Sequence, residues 1–169
     1  SSCSTNKVSQ LSVNGKNIVN EKGEVIRLTG VSFSDPDKLE NDGQWNLRYF
    51  QEAKIWGCNV VRFPVHPPRL NDRGWDEYFK LLDQGVAWAE QLGMYVIIDW
   101  HIIGNLSTEQ WFLPIYNTSY AETVKFWKRA AEHFKGNPTV AVYELYNEPT
   151  YQGGKLGDLS WDILRSLHE

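Results

Sequence analysis

The sequence predicts an α/β fold made of the first four βα units of a (β/α)8 barrel, preceded by a short β-hairpin. Three observations predict it. Nearly continuous apolar strand runs recur about 35 to 45 residues apart, the spacing of strands that pair in parallel beneath covering helices. Stretches of helical periodicity separate them. Polar residues stand at the C-terminal ends of successive runs, where a barrel gathers its chemistry: Arg62, His101, Asn147 and Glu148. A complete barrel needs roughly 200–250 residues or more, so a chain of 169 residues accommodates about half of one.

Residues 1–10 read as a flexible polar tail and 11–169 as the half-barrel domain. Leu11–Val13 and Asn17–Val19 bracket Asn14-Gly15, a hairpin-turn dipeptide, and Lys22-Gly23 turns the chain toward Val25–Leu28 and a first core strand at Leu28–Ser32. A helix is expected over Trp45–Trp56, stopped by Gly57, and then a buried strand Val60–Phe63 ended by Pro64. Trp75, Tyr78, Phe79, Leu82, Val86 and Ala89 form the apolar stripe of the next helix, which Gly93 closes before the strand Tyr95–Ile98. Ser119-x-x-Glu122 has the form of a capping box, opening a helix with Tyr120, Val124, Trp127, Ala131 and Phe134 on one face. The fourth strand is expected at Val140–Tyr146, and Leu159–Glu169 begins the fourth barrel helix. A doubly wound nucleotide-binding sheet would want a glycine-rich phosphate turn after its first strand, and Leu28-Thr29-Gly30-Val31-Ser32 is not one.

A net charge of −4 disfavours nucleic acid and anionic membranes as partners and suits a neutral ligand. Aromatic residues make up 14% of the chain, 8 of them Trp, more than a core of this size needs and suited to lining a sugar cleft. No apolar run is long enough to span a membrane. The polar start, Ser1 to Asn6, reads as what remains after removal of a secretion signal, with lipid modification of Cys3 as a variant of that reading, so the source protein is expected to be secreted or held at the cell surface. Cys3 and Cys58 are poorly placed for a disulfide. The four His and two Cys have no paired metal-ligand spacing, so neither metal nor other cofactor is expected. Sequons at Asn105 and Asn117 decide nothing about function.

The strongest local signal is Tyr143-Glu144-Leu145-Tyr146-Asn147-Glu148-Pro149, an apolar strand finishing in an amide and an acid. Cleaving a glycosidic bond requires protonating a poor leaving group, which a carboxyl beside the bond accomplishes. Glu148 is the candidate acid, with Asn147 placed to bind the sugar 2-OH. Glu144 lies about 13 Å deeper at about 3.3 Å per residue, too far to complete a retaining pair, and reads as a buried barrel acid. Asp99 reads as a hydrogen-bonding partner that orients His101. Trp45, Trp100, Trp111 and Tyr116 are candidates for stacking on glucose, and His66 for reaching the cleft from just past the second strand.

With Asn59–Pro64, Ile97–His101 and Asn147–Pro149 at three strand ends, residues 11–169 resemble glycoside hydrolase family 5, its endoglucanases in particular. The resemblance implies retaining, endo-acting hydrolysis of β-1,4-glucan or a related plant polysaccharide. It implies that Glu148 is the acid/base, that Arg62 supports the nucleophile, that His101 lines the site and that Asn147 binds the 2-OH. The nucleophilic Glu of the family ends a seventh strand, which lies beyond this chain. Ser32 departs from the Asn that relatives often carry. Competing readings are a β-mannanase or xyloglucanase of the same family, and a non-catalytic half-barrel that binds sugar, self-associates or pairs with a complementary chain.

Overall fold

The computed structural model describes residues 8–150 and 165–166. A small antiparallel hairpin, β1 (Ser12–Asn14) and β2 (Asn17–Val19), comes first. The arc of the barrel is a four-stranded parallel sheet, β3 (Gly30–Ser32), β4 (Val60–Val65), β5 (Tyr95–Trp100) and β8 (Val140–Glu144), in that spatial order. Between them run α1 (Pro36–Asn41) and α2 (Leu47–Ile55), then α3 (Pro67–Arg73) and α4 (Trp75–Gln91), then β6 (Ile103–Asn105), β7 (Gln110–Trp111), a 3-10 turn (Pro114–Tyr116) and α5 (Tyr120–His133). The last strand, β9 (Glu148–Pro149), joins β6 and β7 in a small sheet at the rim.

Strand alternation splits the arc into two faces. Val61, Phe63, Val96 and Ile98 are fully buried beneath the helices. Ser32, Arg62, Ile97 and Val142 lie side by side in register on the inner face, with Asp99 and Glu144 one row higher. The helices follow from local signals. The Asn46 side chain accepts the Tyr49 N–H to start α2, and Gly57, at φ 88°, turns the chain out of it. In α4 the expected stripe is buried through Tyr78, Phe79, Leu82, Val86 and Ala89.

Gly85, on the same face of α4, lets the helix press against the core: a Cβ there would lie 2.5 Å from Trp45 Cζ2 and 2.8 Å from the Phe63 ring. Alanine is the better helix former by about 1 kcal/mol, yet Gly85→Ala is expected to destabilise the protein by about 1–3 kcal/mol through overpacking. Urea unfolding of the two proteins measures this directly, and a stabilised variant would contradict the tight α4 contact.

Several expectations shift. Pro64 does not end its strand: β4 continues to Val65 in register with Trp100. The Arg62 carbonyl accepts the Phe33 N–H, so the backbone of Pro64, two residues on, faces the same side after β3 has stopped, and its missing N–H leaves no ladder bond unmade. The fourth strand ends at Glu144 rather than Tyr146, and Val25–Leu28 contributes only a bridge between Val25 and Val19. In α5 Trp127, and Phe134 just beyond the helix, are buried as expected, but Thr123, Phe126 and Ala130 complete the buried face, while Tyr120, Val124 and Ala131 stand off it. Ser119 accepts the Glu122 N–H as anticipated, but the Glu122 carboxylate takes the Thr118 hydroxyl and the Asn71 amide, both at 2.6 Å, and so completes only half a capping box. Cys58 is a buried free thiol. The helix expected at Leu159–Glu169 lies outside the described residues apart from Arg165 and Ser166, which are helical.

Candidate active site

Arg62 is the hub of the inner face. Its Nε and Nη2 grip both oxygens of Glu144 at 2.7 and 2.9 Å, a fork-to-fork pair, and Nη2 also reaches Asn147 Oδ1 at 2.8 Å and Asp99 Oδ2 at 2.9 Å. Nη1 donates to Ser32 Oγ at 3.1 Å, so the serine at the end of β3 also holds the arginine. Burial alone would lower the Arg62 pKa, but the Glu144 hydrogen bond and the charges of Asp99 and Glu144 outweigh it and the net shift is upward. Glu144 is therefore a charge-compensated acid, though its side chain is 35% exposed rather than buried.

Asp99 is fully buried and receives the His101 ring at Nδ1, 2.6 Å away. Desolvation raises its pKa, while the His101 hydrogen bond and Arg62 pull the other way. With Nδ1 engaged by Asp99, Nε2 is the ring nitrogen left for other partners. A second pair repeats the design. The buried Asp35 takes both the His66 N–H (2.8 Å) and His66 Nδ1 (3.0 Å), and its other oxygen caps α1 at the Asp37 N–H. The rings of His66 and His101 meet edge to face at 4.7 Å, and Tyr116 stacks on His66 at 5.9 Å. His66, His101 and Tyr116 thus form one half-buried cluster.

Glu148 lies at the rim, its side chain exposed and its N–H donated to the Ile102 carbonyl at 3.1 Å. The preceding Asn147 donates its N–H to the Trp100 carbonyl, which fixes the amide over Arg62. With Asn147 Oδ1 taken by Arg62, Nδ2 is buried without a partner among the described residues, as is Asp99 Oδ1. A buried N–H of this kind costs free energy until something accepts from it.

Two of the candidate stacking residues are placed elsewhere, which corrects the expectation. Trp45 is buried among Phe50, Phe63 and Trp88, with its indole N–H on the Leu81 carbonyl. Trp100 is fully buried on the helix side, stacked on Phe126 and donating to Thr123. Strand alternation sends Trp100 to the side opposite Asp99, and Trp45, in the segment before α2, packs on the same helix-covered side against Phe63. Trp111 is half-buried over Gly104 with its N–H on the Thr118 carbonyl. Asp35 escaped sequence reasoning, although an aspartate directly before Pro36 is a helix-start signal. Asn105 of the first sequon is fully buried, its side chain capping Ser107 and Thr108 N–H groups. Among the described residues no group of three or more His, Cys, Asp or Glu could hold a metal ion, and no helix is long and apolar enough to cross a membrane.

Residues 19–169 match the family model described as cellulase, glycosyl hydrolase family 5. Endoglucanase A of Butyrivibrio fibrisolvens is 27% identical over 168 residues, which cover 92% of this chain and 34% of that protein. Endoglucanase N of Pectobacterium atrosepticum is 27% identical over 159 residues, covering 90% and 31%. A β-glucanase from Saccharophagus degradans, solved in its native form and with cellotetraose, superposes with a TM-score of 0.92 at 41% identity, covering 95% of this chain and 48% of that one. The chain thus spans about a third of the length of these curated relatives and about half of that solved structure.

Proposed function

The chain belongs to glycosyl hydrolase family 5, the cellulase family, and from that premise we propose that the whole protein is a retaining, endo-acting hydrolase of β-1,4-glucan with Glu148 as its acid/base. The observation that carries this reading is the exposed Glu148 carboxyl standing one residue beyond Asn147, whose amide is locked to Arg62 with its Nδ2 without a partner among the described residues.

In the first step Glu148 gives its proton to the departing glycosidic oxygen while a second carboxylate attacks the anomeric carbon from the other face of the sugar. That carboxylate comes from the part of the barrel this chain does not span, about 5–5.5 Å from Glu148. Positive charge grows at the anomeric centre, and Asn147 Nδ2 donates to the 2-OH, an interaction that strengthens in the transition state. In the second step Glu148, now ionised, takes a proton from water as that water displaces the enzyme carboxylate. Arg62 compensates the acids on the barrel floor. His101, held by Asp99, and His66, held by Asp35, present their Nε2 atoms to sugar hydroxyls, with Tyr116 closing that wall. No step calls for a metal or other cofactor.

The test is a panel of soluble β-1,4-glucan, β-mannan and xyloglucan with the whole protein, following the anomeric configuration of the first product by proton NMR. Preferred cleavage of the glucan with β product is expected. Preferred cleavage of mannan or xyloglucan moves the substrate within the family, and an initial α product overturns the retaining mechanism.

A further inference from the structure

The rim sheet puts a residue that has no role so far on the same face as Glu148. Its strand order is β7-β6-β9. Ile103 of β6 is in register with Glu148 of β9. On its other side Ile103 lies opposite Phe112, because Gly104 pairs with Trp111, Asn105 with Gln110, and the Phe112 N–H donates to the Ile103 carbonyl at 2.9 Å. Residues in one register row project to one face of a sheet, and the next row projects to the other. Phe112, Ile103 and Glu148 therefore share a face, while Trp111 and Gly104 belong to the opposite one. The packing agrees: the Cβ that Gly104 lacks would stand 2.8 Å from Cε3 of Trp111, so the indole lies over Gly104.

Trp111 is thus turned away and Phe112 presented. Phe112 is 51% exposed and Leu113 beside it 48%, an apolar pair at the rim directly after the polar run Ser107-Thr108-Glu109-Gln110 and Trp111. Two strand spacings of about 4.8 Å put Phe112 about 10 Å from Glu148, on the order of two pyranose units.

We propose that Phe112 is the stacking platform of a leaving-group subsite, binding a β-linked glucosyl residue on the side of the scissile bond that Glu148 protonates. This rests on Glu148 being the acid. An acid that delivers its proton to the leaving oxygen stands beside the leaving sugar, so the sheet face that carries Glu148 is the surface over which that sugar passes. A pyranose presents a face of C–H groups, and an exposed ring meets it without competing for hydrogen bonds.

The experiment compares kcat/KM of the whole protein on cellotetraose, whose leaving group is sugar, with that on β-cellobiosyl fluoride, whose leaving group is a single atom and fills no such subsite. In Phe112→Ala the ratio of the two is expected to fall roughly three- to tenfold, the scale of one aromatic contact, and Phe112→Tyr is expected to restore it. General damage to the fold would depress both substrates and leave the ratio in place. A ratio indifferent to residue 112, or one that Tyr fails to restore, overturns the subsite while leaving the hydrolase reading intact. Failure of the unaltered protein on both substrates overturns the hydrolase reading and the subsite with it.

Discussion

Replacing Glu148 with Gln is expected to lower kcat on β-glucan by about 10²–10⁴-fold, the usual contribution of a positioned proton donor. The carboxyl is exposed at the rim, and the backbone of the residue, paired with Ile103 and donating its N–H to the Ile102 carbonyl, ties it into the sheet. The amide is isosteric and leaves that bond alone, so the variant should fold and bind cellooligosaccharides with little change. The loss has a chemical signature. With an aryl cellobioside the departing phenolate needs little protonation, so the first step recovers, while the second step still lacks its base and the glycosyl-enzyme accumulates. A low KM with a burst of phenol, and acceleration by azide as a nucleophile that needs no deprotonation, would identify the residue as acid/base. Full turnover of glucan by Glu148→Gln would end that assignment.

The largest effect on stability is expected at Arg62. In Arg62→Ala the fully buried Asp99 and the partly exposed Glu144 lose their cation, and leaving a buried charge unpaired costs about 3–5 kcal/mol. Arg62→Lys restores a charge but not the fork that holds both Glu144 oxygens, and should recover only part of the loss. The dependence on pH has a definite sign. Asp99 already has a raised pKa in the folded protein, from desolvation, and removing Arg62 takes away one of the interactions that hold it down. An acid that binds its proton more tightly folded than unfolded favours the fold at low pH. That advantage disappears as pH rises from the ordinary carboxylate value of about 3.9 through the folded value. The deficit of Arg62→Ala should therefore be smaller in acid than at pH 8, as read from urea midpoints in the two buffers. An equal deficit at both would mean that lost packing, and not an unpaired charge, is the cause.

Much of this site is legible in the sequence because a parallel arc marks its site-bearing segments twice, by an apolar run and by polar residues set within it or just past it. Arg62 stands inside such a run, His101, Asn147 and Glu148 stand beyond one, and the Arg62 and Asn147 side chains meet. The Asp99–His101 pair follows from two-residue alternation. Alternation also contains the signal that was missed at Trp100: a residue adjacent to an inward Asp99 must point outward, toward α5. Trp45 could not be read, since its burial depends on Gly85 of a helix 40 positions later making room for it. The β6–β7 hairpin was equally hidden. Its strands are two and three residues long and carry no periodicity to detect, so the exposure of Phe112 emerges only from pairing. In α5 the apolar residues admit two neighbouring stripes that share Trp127, and the Trp100–Thr123 hydrogen bond selects the one that runs through Phe126 and Ala130.

One irregularity in the sheet bears on how such a protein can change over generations. Val96 pairs with Val140 but Ile97 with Val142, so Ala141 is a supernumerary residue in β8. Only with that extra residue does Glu144 come level with Asp99; an unbroken register would have set Tyr143 there and turned Glu144 to the helices. The alignment of the floor carboxylates and of the Asn147-Glu148 pair beyond them is thus recorded as a count of residues rather than as the identity of any one of them. Codon substitutions at Ala141 leave the count intact, whereas loss of a single codon would rotate the whole strand end by half a turn. Lineages descending from this sequence should accordingly drift freely in side chain at that position while never shortening the segment between Thr139 and Glu148.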